Sequence, residues 1–347
     1  MEGLEKAEKQ SMEKMDTKEL TAWKNKVLAG ETISREEAVR LAETAGLQEL
    51  CEAAQEIRKH FCGDGFDICT IINGKSGRCS ENCKYCAQSA HFQTSVQEYP
   101  LLSTEEIVKE ADYNQKRGVL RFSIVTSGKR LTDEELERVC ESFRAVRKQT
   151  QIATCASHGL LSYEQFCRLK EAGVSRYHNN LETSRRFFPS ICTTHTYDEK
   201  IETIRAAKKA GLSVCSGGIM GLGETMEDRI DMAITLRELG IRSIPVNVLN
   251  PIPGTPLAGN LPLTEDEVCR IVAVYRFLLP DAAVRLAGGR GLFADKGRRI
   301  FESGANAAIS GDMLTTSGIT IADDMAMLEE LGFVPKLSGE DEEKEQM

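Results

Sequence analysis

The sequence predicts an α/β fold, a (β/α)8 TIM-type barrel with an N-terminal helical extension, and three observations carry that prediction. Between about residues 66 and 333, short β-type runs alternate with amphipathic stretches of helical period. Eight such βα units follow one another without interruption, which is the number and spacing of a closed barrel. Several of the helical stretches open on a capping pattern, such as Ser103-Thr104-Glu105-Glu106 and Thr132-Asp133-Glu134-Glu135. A doubly wound open sheet is the alternative, and eight unbroken units favour closure.

Residues 1–60 are rich in Lys, Glu and Ala and predict two helices, over 17–28 and 34–59, the second capped by Ser34. The strands are expected at 66–73, 120–126, 151–156, 174–181, 212–220, 242–249, 282–288 and 306–311. The helices that follow them are expected near 103–117, 132–148, 161–172, 196–210, 226–239, 264–279, 293–303 and 321–331. The chain therefore divides into a helical extension (1–60), the barrel (61–335) and a tail (336–347). The last ten residues carry five acidic side chains and no apolar period, which predicts a solvated, mobile end. In a barrel of this kind, chemistry belongs to the C-terminal ends of the strands and the loops after them.

Composition narrows the function. The 347 residues are 41% hydrophobic and 28% charged, with a net charge of −9. No basic surplus exists to neutralise phosphates, so nucleic acid is not an expected partner. No run approaches the roughly 18 apolar residues that cross a bilayer, and the charged N-terminus has no signal-peptide core, so no membrane is expected and the location is cytoplasmic. Twelve cysteines in such a chain predict reduced thiols, which points to metal binding or catalysis before disulfides.

Three of those cysteines follow the first strand as Cys79-Ser-Glu-Asn-Cys83-Lys-Tyr-Cys86. The spacing wraps three thiolates around one compact centre, and the next cysteine, Cys140, falls in a predicted helix. Structural zinc wants a closed set of four ligands. A [4Fe–4S] cluster on three cysteines leaves one iron open to a small molecule. A zinc knuckle with a distant fourth ligand is the competing reading.

The C-x3-C-x2-C loop, with an aromatic before its last cysteine, resembles the signature of the radical S-adenosylmethionine enzymes. The stretch Gly217-Gly218-Ile219-Met220-Gly221-Leu222-Gly223-Glu224 is similar to the glycine-rich strand with which that superfamily holds adenine. Further motifs (CSENCKYCAQSAH, RYHNNLETS, VCSGGIMGLGET, SIPVNVLNPIPGTPL, VRLAGGR, GANAAISGDMLTT) stand in the order found in the biotin synthase family, over about residues 66–333. The resemblance implies a [4Fe–4S] cluster on Cys79, Cys83 and Cys86, and S-adenosylmethionine held by Tyr85, Thr126, Asn180, Glu182, Lys200, Ile219 and Gly221. It implies dethiobiotin as substrate, met by His178, Asn247, Thr315 and Thr316, and an external electron donor of the flavodoxin or ferredoxin type.

The same resemblance implies an auxiliary Fe–S cluster that donates sulfur, with Cys155, Cys215 and Arg285 at three of its positions. The remaining cysteine position is Ser123 here, a poor ligand for iron, so the cluster is expected as [2Fe–2S] or a variant type. Cys69, with Cys62 as a less certain addition, is the expected substitute. Cys69, Cys155, Cys215 and Arg285 fall on strands one, three, five and seven, which can share a layer of the barrel interior, with Ser123 in the other set. Cys51, Cys140, Cys167, Cys192 and Cys269 are expected to be packing residues. Because Ser123 and His178 depart from the familiar pattern, an [FeFe]-hydrogenase maturase or a methylornithine synthase-like enzyme remains an alternative, as does a non-catalytic Fe–S or zinc protein. Residues 1–60 are expected either to pack on the barrel or to form a homodimer contact.

Overall fold

The computed structural model describes residues 14–338 apart from 312 and 317. The acidic run at the end of the predicted tail lies outside the described residues. The N-terminal segment forms α1 (Thr17–Leu28), α2 (Arg35–Thr44) and α3 (Leu47–Cys62); α2 and α3 lay apolar stripes on the barrel, and α1 packs on α3. Ser34 caps α2 by a reciprocal bond with Glu37. The single helix predicted over 34–59 is thus two, because the chain turns extended at Ala45 and restarts from Gly46.

Eight staves close the barrel: β1 (Gly65–Lys75), β2 (Arg121–Thr126), β3 (Ala153–Ser157), β4 (Arg176–His178), the pair β5 (Ser213–Cys215) and β6 (Gly218–Met220), β7 (Ser243–Val248), β8 (Ala283–Leu286) and β9 (Ala307–Ser310). All pair in parallel, and β9 returns to β1 through Cys69↔Ile309. The interleaved helices are α4 (Thr104–Gln115), α5 (Asp133–Gln149), α6 (Tyr163–Glu171), α7 (Tyr197–Lys209), α8 (Met226–Glu238), α9 (Glu265–Leu278), α10 (Arg298–Phe301) and α11 (Ile321–Glu330). Seven of them begin on a Ser or Thr whose side chain accepts an N–H of the first turn, the capping read in the sequence. The helix predicted over 293–303 shrinks to the single turn of α10.

The predicted fifth strand breaks at Ser216-Gly217. Opposite the break stands Pro245, which has no N–H for the ladder. The β7 backbone comes so close that a Cβ on Gly217 would lie 2.0 Å from the Pro245 carbonyl oxygen. After α11 the chain adds a short strand, β10 (Val334–Pro335), beside the start of β1. Ser338 then donates to the buried Asp67 carboxylate under the barrel floor at 2.7 Å.

Candidate active site

The three loop cysteines lie just beyond β1, on a segment held by a short bridge between Cys79 and Ser89. A second segment, 191–195, clamps this loop before α7 starts. The Lys84 N–H donates to the Ile191 carbonyl, Asn82 exchanges bonds with Thr193 and Thr194, and Thr194 Oγ1 donates to Glu81 at 2.8 Å. All three cysteines are free and half-buried. Burial pushes the thiols of Cys79 and Cys86 up, the latter to about 11. Backbone hydrogen bonds at Glu81 and Gly128 for Cys79, and at Gln88 and Ser89 for Cys86, work the other way and favour thiolate. Among the described residues the three loop sulfurs do not converge closely enough to share one ion. Three thiols set apart around one opening, with N–H groups turned toward two of them, fit a cluster better than a single ion.

The loop forms one wall of a cavity of about 420 Å³ that runs down into the barrel. Every predicted cofactor and substrate residue except Gly221 lines it. Asn180 and Glu182 reach it from the turn after β4, not from the strand end that was expected. Glu182 has a left-handed φ of 72°, because its backbone bonds Gly217 and Ile219 on both sides. Its Oε2 is buried without a hydrogen-bond partner beside Tyr85, an orphan acceptor that a bound hydroxyl would satisfy. Lys200, on α7 and buried, brings its Nζ to 3.5 Å from Asn179 Oδ1. Thr126 Oγ1 is 3.0 Å from His158 Nδ1.

The glycine-rich strand is positioned by its own chain. A Cβ on Gly218 would meet the Glu182 carbonyl oxygen at 2.3 Å, so these glycines serve protein packing and not only the approach of a nucleoside. Gly221 faces Leu249 and Leu263, and its N–H donates to Glu224, which also accepts from Arg229 at 2.6 Å. Asn247 bridges two strand ends, donating to the Gly218 carbonyl and accepting from the Gly288 N–H. Thr315 and Thr316 stand at the cavity's edge after β9.

Deeper in the barrel, Cys69, Cys155, Cys215 and Arg285 line the same cavity, as expected. Arg285 is 1% exposed; its Nη1 lies 3.1 Å from Cys69 Sγ and its Nη2 lies 3.0 Å from Asp67 Oδ1. Asp67 also meets Arg176. Burial works against the Asp67 charge, yet Arg285, Arg176 and Arg121 hold its carboxyl well below the usual range. Burial lifts the Cys155 thiol to about 12. Cys215 is driven the other way: burial opposes its charge, but a hydrogen bond and charge from His178, with Arg285 and Arg176, bring it down to about 6.

Of the expected deep residues, the structure sets only Cys62 apart. Ser123 pairs in register with Cys155, so both face the interior, and because neighbouring staves of a tilted barrel supply alternate layers it falls in the set interleaved with that of Cys69, Cys155, Cys215 and Arg285, as expected. His178 lines the cavity with the other residues expected at the substrate, and it also stands beside Cys215 on the neighbouring stave. Cys62 ends α3 outside the cavity, with its sulfur 3.5 Å from Arg276 and near the Pro280 and Ala282 carbonyls, so the structure does not bring it to the other thiols. Of the five cysteines expected to pack, Cys51, Cys140, Cys167 and Cys269 sit on α3, α5, α6 and α9. Cys192 is also buried in the core, in the 191–195 segment, with its sulfur 3.7 Å from Cys83 Sγ and 3.3 Å from His195 Nδ1. The only hint in the sequence was the closeness of Cys192 to His195.

A closed parallel barrel with a three-cysteine loop at its C-terminal mouth defines the class, a radical S-adenosylmethionine enzyme. The family model of the Radical SAM superfamily matches residues 74–236, and that of the Biotin and Thiamin Synthesis associated domain matches 245–334. The chain belongs to the biotin synthase family. It is 63% identical over 309 residues to a biotin synthase of Akkermansia muciniphila, covering 89% of this chain and 96% of that one. It is 60% identical over 311 residues to a biotin synthase of Clostridium botulinum, covering 90% and 98%. Among solved structures, a methylornithine synthase superposes with a TM-score of 0.79 at 20% identity, covering 91% of this chain and 97% of that one. An [FeFe]-hydrogenase maturase superposes at 0.77 and 19% identity, covering 93% and 80%. Both likenesses are of fold alone. Among the described residues no helix is long and apolar enough to cross a membrane.

Proposed function

We propose that this enzyme inserts sulfur into dethiobiotin to form biotin, with Cys79, Cys83 and Cys86 holding a [4Fe–4S] cluster and Cys69, Cys155 and Cys215 holding a second Fe–S cluster beside Arg285. The observation that carries the reading is one cavity with two groups of three thiols, one at its mouth and one near its floor. When bound, the first cluster and S-adenosylmethionine supply the deoxyadenosyl radical that removes hydrogen from unactivated carbon.

The chain's own residues bind and orient. Glu182 and Asn180 offer acceptors to the ribose hydroxyls, with the unpartnered Glu182 Oε2 as the stronger one. Lys200 offers a point charge to the methionine carboxylate. Tyr85 and Ile219 bound the adenine side of the cavity. Asn247, held at both ends by backbone, presents a fixed amide to the ureido ring, and Thr315 and Thr316 offer hydroxyls to the substrate carboxylate. Arg285 holds Cys69 and Asp67 together, and with Arg176 and Arg121 also acting on Asp67 the deep thiols sit among more cations than anions, which suits an anionic cluster. A flavodoxin- or ferredoxin-type protein would deliver the electron, and the helices α1 to α3 form a packing layer on the barrel.

The test is anaerobic reconstitution with iron, sulfide, S-adenosylmethionine, reductant and dethiobiotin, followed by mass spectrometry. Biotin and deoxyadenosine together are expected. Deoxyadenosine without biotin would overturn the substrate, and neither product would overturn the radical chemistry.

A further inference from the structure

Cys192 and His195 are not used by the reaction above, yet they stand against the mouth thiols. Cys83 Sγ, Cys192 Sγ and His195 Nδ1 all lie within 4.8 Å of one another, the only such metal-binding group among the described residues. The spacing is that of ligands to one ion. Tetrahedral zinc with Zn–S of about 2.3 Å and Zn–N of about 2.0–2.1 Å sets its sulfurs about 3.8 Å apart and a sulfur and nitrogen about 3.5 Å apart. The observed separations are 3.7 Å between the sulfurs and 3.3 Å between Cys192 and His195.

The group is already ordered. Cys192 and His195 are buried, Cys83 is half-buried and faces the cavity, and Asn82 and Thr194 both bond the Cys192 region. Glu81 Oε2 is 2.5 Å from the same His195 nitrogen, the nearest carboxylate for a fourth ligand. Two thiolates and an imidazole select a borderline or soft cation over magnesium or calcium.

We propose that Cys83, Cys192 and His195 form a mononuclear site for a thiophilic divalent cation, Fe2+ or Zn2+, filled only while the chain lacks its mouth cluster. Binding displaces one thiol proton from each of Cys83 and Cys192, His195 binds through Nδ1 as the neutral imidazole with its proton on Nε2, and nothing is oxidised or reduced. The exclusion of one occupant by the other, but not the ion site itself, rests on the assignment of Cys83 to the cluster.

The experiment is an anaerobic titration of cluster-free, full-length protein with Co2+, read by thiolate-to-cobalt charge transfer and the ligand-field bands of a tetrahedral ion. One Co2+ per chain is expected. Cys192→Ala should weaken its binding beyond the roughly 10–100-fold that loss of an outer partner costs. His195→Gln should keep the thiolate bands and shift the ligand-field bands, which preserves a test if Cys192→Ala folds poorly. Cys79→Ala, Cys86→Ala and Cys155→Ala should bind as the parent does. Unchanged binding in Cys192→Ala, bands without thiolate character, or equal loss in Cys79→Ala would overturn the site. A second arm loads the protein with Zn2+ before cluster reconstitution: wild type should take up less iron, and Cys192→Ala should not be blocked. If metal-free wild type forms no [4Fe–4S] cluster at all, the cluster assignment fails while the cobalt result stands.

Discussion

The two groups of thiols that face this cavity are built in opposite ways. At the mouth, Cys79, Cys83 and Cys86 share one loop, half-buried, with backbone N–H groups as the partners of Cys79 and Cys86 and the Cys192 sulfur beside Cys83. At the floor, Cys69, Cys155 and Cys215 come from three different staves and are buried against a charged pair, Arg285 and Asp67. A loop site needs only local spacing, so it survives small changes elsewhere. A floor site needs barrel closure, strand register and a buried ion pair all at once, and its failure is a failure of folding as well as of chemistry.

The sharpest way to break this contrast is the Cys79/Cys83/Cys86→Ala triple variant. Deoxyadenosine formation should be abolished, while iron and sulfide analysis still finds a cluster at the floor. Loss of all iron would mean that the two groups are not separate sites. Next in size is Arg285→Met, which strips Asp67 of its closest cation. It should cost about 3 kcal/mol in urea unfolding, toward the lower end for a broken buried pair because Arg176 remains. Lys75→Met, at the mouth, breaks a half-buried, solvent-reached pair with Glu135 and should cost about 1 kcal/mol or less.

Acid should reveal the same difference. His158 is fully buried, which pushes its folded value down to about 3. The unfolded chain binds a proton below about 6.5. Stability is therefore complete above that value and falls as pH drops from about 6.5 toward 3, a slope that His158→Gln should flatten. Asp67 adds a second window: its folded value is depressed, so its contribution holds above about 4 and is lost below.

Two smaller changes sharpen the map of the floor. Ser123→Cys sets a thiol beside Cys155 and should alter the electronic spectrum of the floor cluster, leaving the mouth cluster's signal within about twofold in intensity. Cys62→Ala should leave the iron content untouched and cost about 1 kcal/mol in thermal unfolding, since its sulfur packs on Arg276 outside the cavity. A drop in iron would return Cys62 to the site.

Much of this was legible along the chain. Hydrophobic alternation located all eight staves, and the Ser/Thr caps marked the helix starts, because both are local properties. The mouth loop was legible for the same reason: three thiols within one turn need no partner from elsewhere. The floor was legible only in part. Counting strands placed Cys69, Cys155, Cys215 and Arg285 in one layer and Ser123 in the interleaved one, but it gave no sign that Asp67 meets Arg285, because contacts across the interior depend on register between strands, which leaves no mark within one.

By itself, then, the sequence determined the barrel, its order of elements and the three-thiol loop, each from spacing over a few residues. Only the tertiary structure decided the pairing of Arg285 with Asp67, the exile of Cys62, the placement of His178 beside Cys215 and the approach of Cys192 to Cys83. Each of these joins residues distant in the chain. Such contacts follow from how twisted strands close and which loops then clamp the mouth, and that geometry is a property of the packed whole.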